Sequence, residues 1–220
     1  MTWYLDNVYE INKEAPYTFY LPSSEVLEKL KVGDLVKLIF VTKIEDEDGF
    51  HGERMWVEIT ERNEKKFVGE LINEPYRLDL KIGDKISFGI ENICDTEYND
   101  PASKDWDFYF DTKVIVSDDV LEKREFNFIL NEGSREEGDS GWSILSGYES
   151  DDYVNNPKNF QIISIGVILN MDDSILNFLE EPPLCAYERN DEGRFYKIED
   201  YDWDVYLNGK EKVLRVKENQ

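Results

Sequence analysis

Arg54-Met55-Trp56-Val57-Glu58-Ile59-Thr60 decides the fold class. In an extended chain Met55, Val57 and Ile59 share one face, and Glu58 and Thr60 share the other, which is the period-two pattern of a half-buried strand. The same alternation runs through Lys66 to Ile72 and through Asp84 to Ile90, where Ile86, Phe88 and Ile90 line up. A short internal echo links Lys31-Val32-Gly33-Asp34-Leu35-Val36 and Lys81-Ile82-Gly83-Asp84-Lys85-Ile86. Each copy reads as a Gly-Asp turn launching a strand, as in small antiparallel barrels or sheets.

Working outward, further strands are expected near Lys113 to Val116, Glu125 to Leu130, Trp142 to Ser146 and Gln161 to Leu169. A C-terminal hairpin is expected from the alternation of Trp203, Val205 and Leu207, the Asn208-Gly209 turn and a return over Lys212 to Val216. Three short helices have capping signals. Ser23 or Ser24 opens one to about Leu30, and Ser117 or Asp118 opens one through Lys123. Asp172 or Asp173 opens one over Ser174 to Glu180, stopped by Pro182 and Pro183. Between Cys94 and Thr112 the alternation gives way to polar turn formers. The predicted organisation is α+β: two small domains dominated by antiparallel β-sheet with a few short helices, the N-terminal one a candidate barrel. Residues 1–95 form the first domain, 96–112 a linker, and 113–220 the second domain with its core at 113–189 and the hairpin at its end.

Composition limits the function. The 220 residues hold 49 acids against 25 Lys and Arg, a formal net charge of −24. Such a chain is repelled by DNA, RNA and anionic membrane surfaces, whose recognition needs a basic footprint. Hydrophobic residues at 40% and aromatics at 14% supply enough apolar surface for real cores, which excludes a disordered acidic tail. Cys94 and Cys185 belong to no C-x-x-C pair, and Met1 to Asp6 carry no basic, apolar leader pattern, so a cytoplasmic location with reduced thiols is expected.

No motif makes a positive case for catalysis, metal or cofactor. Gly138-Asp139-Ser140-Gly141 resembles a serine-protease nucleophile loop, but the only histidine, His51, lies in a polar turn, and Trp142 follows where a glycine is needed. Glu188-Arg189-Asn190-Asp191-Glu192-Gly193 with Glu199 has EF-hand spacing, yet its flanks alternate like hairpin strands, so a β-turn with solvated acids is favoured. Paired acids such as Asp118-Asp119 and Asp172-Asp173 follow from composition and helix capping. No phosphate-binding or dinucleotide glycine loop occurs.

The most distinctive stretch is Asp139-Ser140-Gly141-Trp142, then Ser146-Gly147-Tyr148-Glu149, then Asp151-Asp152-Tyr153 and Asn156-Pro157. Two readings stand. Trp142 and Tyr153 plug the core beneath an ordered loop, or the segment is an acidic-aromatic recognition surface with aromatic anchors. On the second reading the candidate partner-binding residues are Asp139, Ser140, Trp142, Tyr148, Glu149, Asp151, Asp152 and Tyr153. If Trp142 is core, Glu149 and Asp151 are the better contacts.

These same motifs, with Val114 to Leu121 before them, resemble domain of unknown function 2185, grouped with the immunity protein 33 family of polymorphic-toxin loci, over Lys113 to Arg189. In the front half, Gly33-Asp34, Glu53 to Val57, Gly69 to Pro75 and Leu80 to Ile86 resemble domain of unknown function 2314, over Val32 to Ile93. The resemblance implies a non-catalytic immunity protein that neutralises a toxin or similar protein partner by occlusion. An acidic inhibitor of this kind suits a basic toxin domain. The alternatives are a housekeeping or regulatory protein that reuses the module, and a carboxylate-based enzyme.

Overall fold

A computed structural model of the chain describes residues 2–43, 49, 51–134 and 136–208. These fall into two compact units, 1–106 and 107–220.

The first unit contains β1 (Trp3–Leu5), α1 (Val8–Glu14), α2 (Ser24–Lys29), β2 (Leu35–Thr42), β3 (Gly52–Asn63), β4 (Lys66–Leu71), β5 (Lys85–Gly89) and β6 (Ile93–Thr96). β2 to β5 form an antiparallel meander. β1 and β6 share the other edge of β2, β1 opposite Phe40 to Thr42 and β6 opposite Val36 to Leu38. The sheet thereby curls into a nearly closed barrel-like form.

Its interior is the face the alternation marked: Val36, Leu38 and Phe40 from β2, Met55, Val57 and Ile59 from β3, Phe67 and Leu71 from β4, and Ile86 and Phe88 from β5. Leu27 and Leu30 close one end from α2, whose N-cap Ser23 accepts the Val26 N–H at 3.3 Å. Each fully buried aliphatic or aromatic side chain of this kind contributes roughly 1.5–3 kcal/mol.

The internal echo is a structural repeat. Gly33 donates its N–H to Ile59 O on β3 at 2.8 Å, and Gly83 donates to Leu71 O on β4 at 2.8 Å. The Asp34 and Asp84 carboxylates accept the N–H of Lys31 at 2.9 Å and of Lys81 at 2.8 Å. Both glycines are left-handed, with φ of 94° and 88°. Each turn therefore pins the start of one strand to its neighbour, which fixes the register of β2 on β3 and of β5 on β4.

The expected linker at 96–112 is instead structured. Asp100 caps a 3-10 turn at Pro101–Ser103, and α3 (Lys104–Asp111) follows across the unit boundary. The polar residues read as loop formers are a cap and a proline at the first helical position. Asp100 is buried and accepts the Tyr20 O–H, the Ser23 N–H and the Ala102 N–H, so it ties this segment to the entrance of α2.

The second unit contains β7 (Lys113–Ser117), α4 (Asp118–Lys123), β8 (Phe128–Asn131), β9 (Asp139–Leu145), α5 (Asp151–Val154), β10 (Phe160–Ser164), α6 (Ile165–Leu169), β11 (Cys185–Arg189) and β12 (Phe195–Lys197). Its sheet runs β10-β7-β9-β8-β11-β12, with β7 and β9 parallel and the other pairs antiparallel. Val114, Val116, Ile129, Trp142 and Ile144 are buried on the sheet, with Val120 of α4 and Ile165, Ile168 and Leu169 of α6 also buried. Arg189 fastens the β11–β12 hairpin. It lies 4.3 Å from the Phe195 ring and 5.6 Å from the Phe126 ring, and bonds Asp172 at 2.6 Å.

Three expectations are corrected here. The strand at Gln161 to Leu169 stops at Ser164. The apolar run beyond it is helical, because an unbroken apolar run carries no period and Ile165, Ile168 and Leu169 bury one helical stripe. The helix at Ser174 to Glu180 shrinks to a 3-10 turn, Leu176–Phe178, since Asp172 is shared between the Ser174 N–H and Arg189. The first arm of the C-terminal hairpin is helical at 203–208, where Asp202 caps the Val205 N–H at 2.9 Å; its turn glycine and return arm lie outside the described residues.

An alanine side chain at Gly33 meets nothing within 4 Å, so its cost is the left-handed backbone alone. Gly33→Ala is therefore expected to lower stability by about 1–2 kcal/mol, whereas Gly69→Ala, whose Cβ falls 2.5 Å from Glu58 O, costs more. Urea unfolding should give two distinct midpoints with unchanged m values.

Candidate functional site

β7 and β9 run parallel, so the loops leaving their carboxyl ends, at Ser117 and Leu145, emerge side by side. Ser117 is fully buried and caps α4: its Oγ accepts the Val120 N–H at 3.3 Å and donates to the Glu149 carboxylate. Glu149 also accepts the Ser146 N–H at 2.7 Å and the Gly147 N–H at 2.9 Å. Ser146, also fully buried, accepts the Tyr148 N–H at 3.2 Å. Tyr153 completes the knot. Its hydroxyl accepts the Asp119 N–H at 3.1 Å, and its own N–H bonds Ser150 Oγ, the N-cap of α5.

Burial on its own raises the Glu149 pKa, but the hydrogen bonds from the Ser117 hydroxyl and from Ser146 overcome it and hold the carboxyl below the ordinary glutamate range. Asp119 is lowered by its bond to Lys123 and then by Ser146. Glu149 thus faces inward, and what the knot presents to solvent is different. Tyr148 is 67% exposed, with Lys123 5.1 Å above its ring. Asp151 and Asp152 are exposed in the first turn of α5. Asp118 is half-buried beside Gln161 of β10, which donates to it at 2.7 Å. Asp119 pairs with Lys123 at 2.6 Å, while among the described residues Asp118, Asp151 and Asp152 form no ion pair.

The remaining candidates lie at the other end of β9. Asp139, Ser140 and Trp142 line a half-open cleft of about 260 Å³ with Phe108, Thr112 and Leu179. Ser140 Oγ donates to Lys113 O at 2.7 Å and accepts the Trp142 N–H at 3.2 Å, so it is a structural bridge and not a free hydroxyl. Asp139 caps the Gly141 N–H at 2.9 Å. Trp142 has 0% exposure, donates Nε1–H to Leu179 O at 3.4 Å and has its ring 6.2 Å from that of Tyr187. It is core and is removed from the candidate surface. At about 3.4 Å per residue, Asp139 lies about 20 Å from Leu145 at the far end of β9, and Trp142, at mid-strand, about 10 Å from it. The eight residues therefore do not form one site: Tyr148, Asp151 and Asp152 make the exposed acidic-aromatic surface, Glu149 and Tyr153 hold it, Asp139 and Ser140 stand at the opposite end of β9, and Trp142 is buried at its middle. The EF-hand-like run is the β11–β12 turn, in which Asn190 accepts the Glu192 and Arg194 N–H groups.

Ser117 and Ser146 as anchors, and Asp118, Gln161 and Ile162 as neighbours of the surface, escaped the sequence reading. Ser117 had a visible capping signal, but nothing local reveals that β10 packs beside α4.

Residues 114–199 match the family described as the immunity protein Imm33 domain. The number 2185 attached to that resemblance above is not its designation. Residues 18–112 match an uncharacterized protein family conserved in bacteria, DUF2314. No curated protein and no solved structure matches the chain.

Two tests follow from this geometry. Trp142→Ala should cost about 3–5 kcal/mol, as for a buried aromatic, while Tyr148→Ala leaves the melting temperature nearly unchanged; thermal unfolding of both variants separates core from surface. For Glu149, a depressed folded-state pKa means its contribution is full above the unfolded value near pH ~4.3 and is lost as pH falls through the folded value. Glu149→Gln should therefore cost about 1–2 kcal/mol near neutral pH, with the gap to wild type closing in acid. An undiminished gap at low pH in a stability–pH series would contradict this.

Proposed function

We propose that the protein is a non-catalytic, acidic binding protein of the immunity type that neutralises a toxin or similar protein partner by occluding it. The observation that carries this reading is the Imm33 domain over residues 114–199. The surface built on its Glu149 knot supports it: exposed Tyr148 offers an aromatic anchor, and the nearby Asp118, Asp151 and Asp152 form no ion pair among the described residues. The partner class that fits is a basic toxin domain, not nucleic acid or membrane, and the proposed location is the cytoplasm. A net charge of −24 steers such a partner toward the chain and speeds encounter.

The accompanying DUF2314 unit favours one other reading, a housekeeping or regulatory protein that reuses the module. Co-expression with a toxin encoded beside its gene separates the two. On the immunity reading, the wild type restores growth, and the triple substitution Asp118→Lys, Asp151→Lys, Asp152→Lys loses protection with an unchanged melting temperature. The association rate should also fall tenfold or more between about 50 mM and about 500 mM salt. A salt-independent rate, or full protection by the triple variant, would count against this surface.

A further inference from the structure

β10 is an edge strand: it pairs with β7 on one side, and among the described residues no strand pairs with its other side. Its hydrogen-bond phase can be read from its end. Ile165 N–H bonds Thr112 O at 2.9 Å, in line with the β10–β7 register. In an antiparallel ladder bonded and non-bonded pairs alternate, so Ile163 and Gln161 bond inward, and the N–H and C=O of Ile162 point away from the sheet. The Ile162 side chain is itself 71% exposed.

Natural edge strands are commonly guarded by lysine, proline, a bulge or shortness. The opposite edge of this sheet follows that rule, since β12 has three residues and ends in Lys197. β10 does not. Phe160-Gln161-Ile162-Ile163-Ser164 contains no charge and no proline, and its five-residue register with β7 is unbroken. Carboxylates stand beside this open backbone: Asp118 bonds Gln161, and α5, carrying Asp151 and Asp152, reaches β10 through Tyr153, whose ring lies 6.2 Å from that of Phe160.

We infer that the free edge of β10 is a docking strand for an extended, basic segment of the protein partner, which adds to the sheet through the Ile162 backbone while its cations meet Asp118, Asp151 and Asp152. Main-chain bonds supply the grip and the flanking acids select the charge. The inference rests on the reading of this chain as a protein-binding immunity protein, and its test keeps the two apart.

The probe is a fluorescent, end-blocked peptide of about six alternating Val and Lys residues, with a Val-Glu counterpart as control. The basic peptide should bind the full chain and slow amide exchange at 160–164, and the acidic one should not. Ile162→Pro removes the outward N–H and should weaken binding at least tenfold. Ile162→Lys, which keeps the strand but guards the edge, should do the same with an unchanged melting temperature. Equal binding by wild type and both variants, or protection mapped elsewhere, overturns the inference. So does a wild-type dimer in sedimentation that Ile162→Pro dissociates, which assigns the edge to a second copy. In the toxin co-expression assay, protection by wild type and by both variants overturns strand docking while the immunity reading stands. Failure of the wild type itself overturns the immunity reading and leaves the peptide measurement to decide the edge.

Discussion

One carboxylate, Glu149, holds the presented end of the second unit together. It is drawn partly out of water, and it stays ionised because a buried serine hydroxyl and two backbone N–H groups converge on it. Those donors come from the end of β7 and from the turn between Leu145 and α5, so satisfying one charge fixes two chain segments to each other. The exposed groups, Tyr148 before it and Asp151 and Asp152 after it, take their positions from that bond set. Leaving the donors unpaired would cost more than the bonds themselves contribute, which makes the arrangement all-or-none.

The same device recurs through the chain and gives the acidic composition a second meaning. Asp34 and Asp84 close the two Gly-Asp turns, and Asp100 joins a 3-10 turn to the entrance of α2. Glu53 gathers the N–H groups of Tyr76, Arg77 and Leu78, and Asp172 holds Arg189 against two aromatic rings. In a chain short of cations, carboxylates are satisfied by backbone N–H groups in turns. The charge of −24 therefore both solvates the surface and stitches the loops.

What the sequence makes legible is what depends on neighbours along the chain. Alternation located Met55, Val57 and Ile59 on the inner face of β3, the Lys-x-Gly-Asp echo became two equivalent turns, and Ser23 and Ser117 cap the helices expected of them. What stayed hidden depends on distant parts. The run from Ile165 to Leu169 has no period to distinguish strand from helix. Trp142 is as apolar as a binding anchor, and only the packing of Tyr187 and Leu179 makes it core. The motif from Asp139 to Tyr153 looks continuous in sequence, but the length of β9 sends its two halves to opposite ends of the sheet. Likewise, nothing within Phe160 to Ser164 says that the strand lies at an edge.

The residues behind the family resemblance are thus mostly internal. Trp142 and Ser146 are fully buried and Glu149 faces inward, and the surface proposed for a partner is the one that Ser146 and Glu149 hold in place. The most direct test of this division is amide hydrogen exchange on the full chain, free and bound to the protein partner proposed for it. New protection is predicted at 117–123, 146–154 and 160–164, with little change at 138–142. Protection confined to 138–142 or to residues 1–106, with the Glu149 end unchanged, would contradict the account.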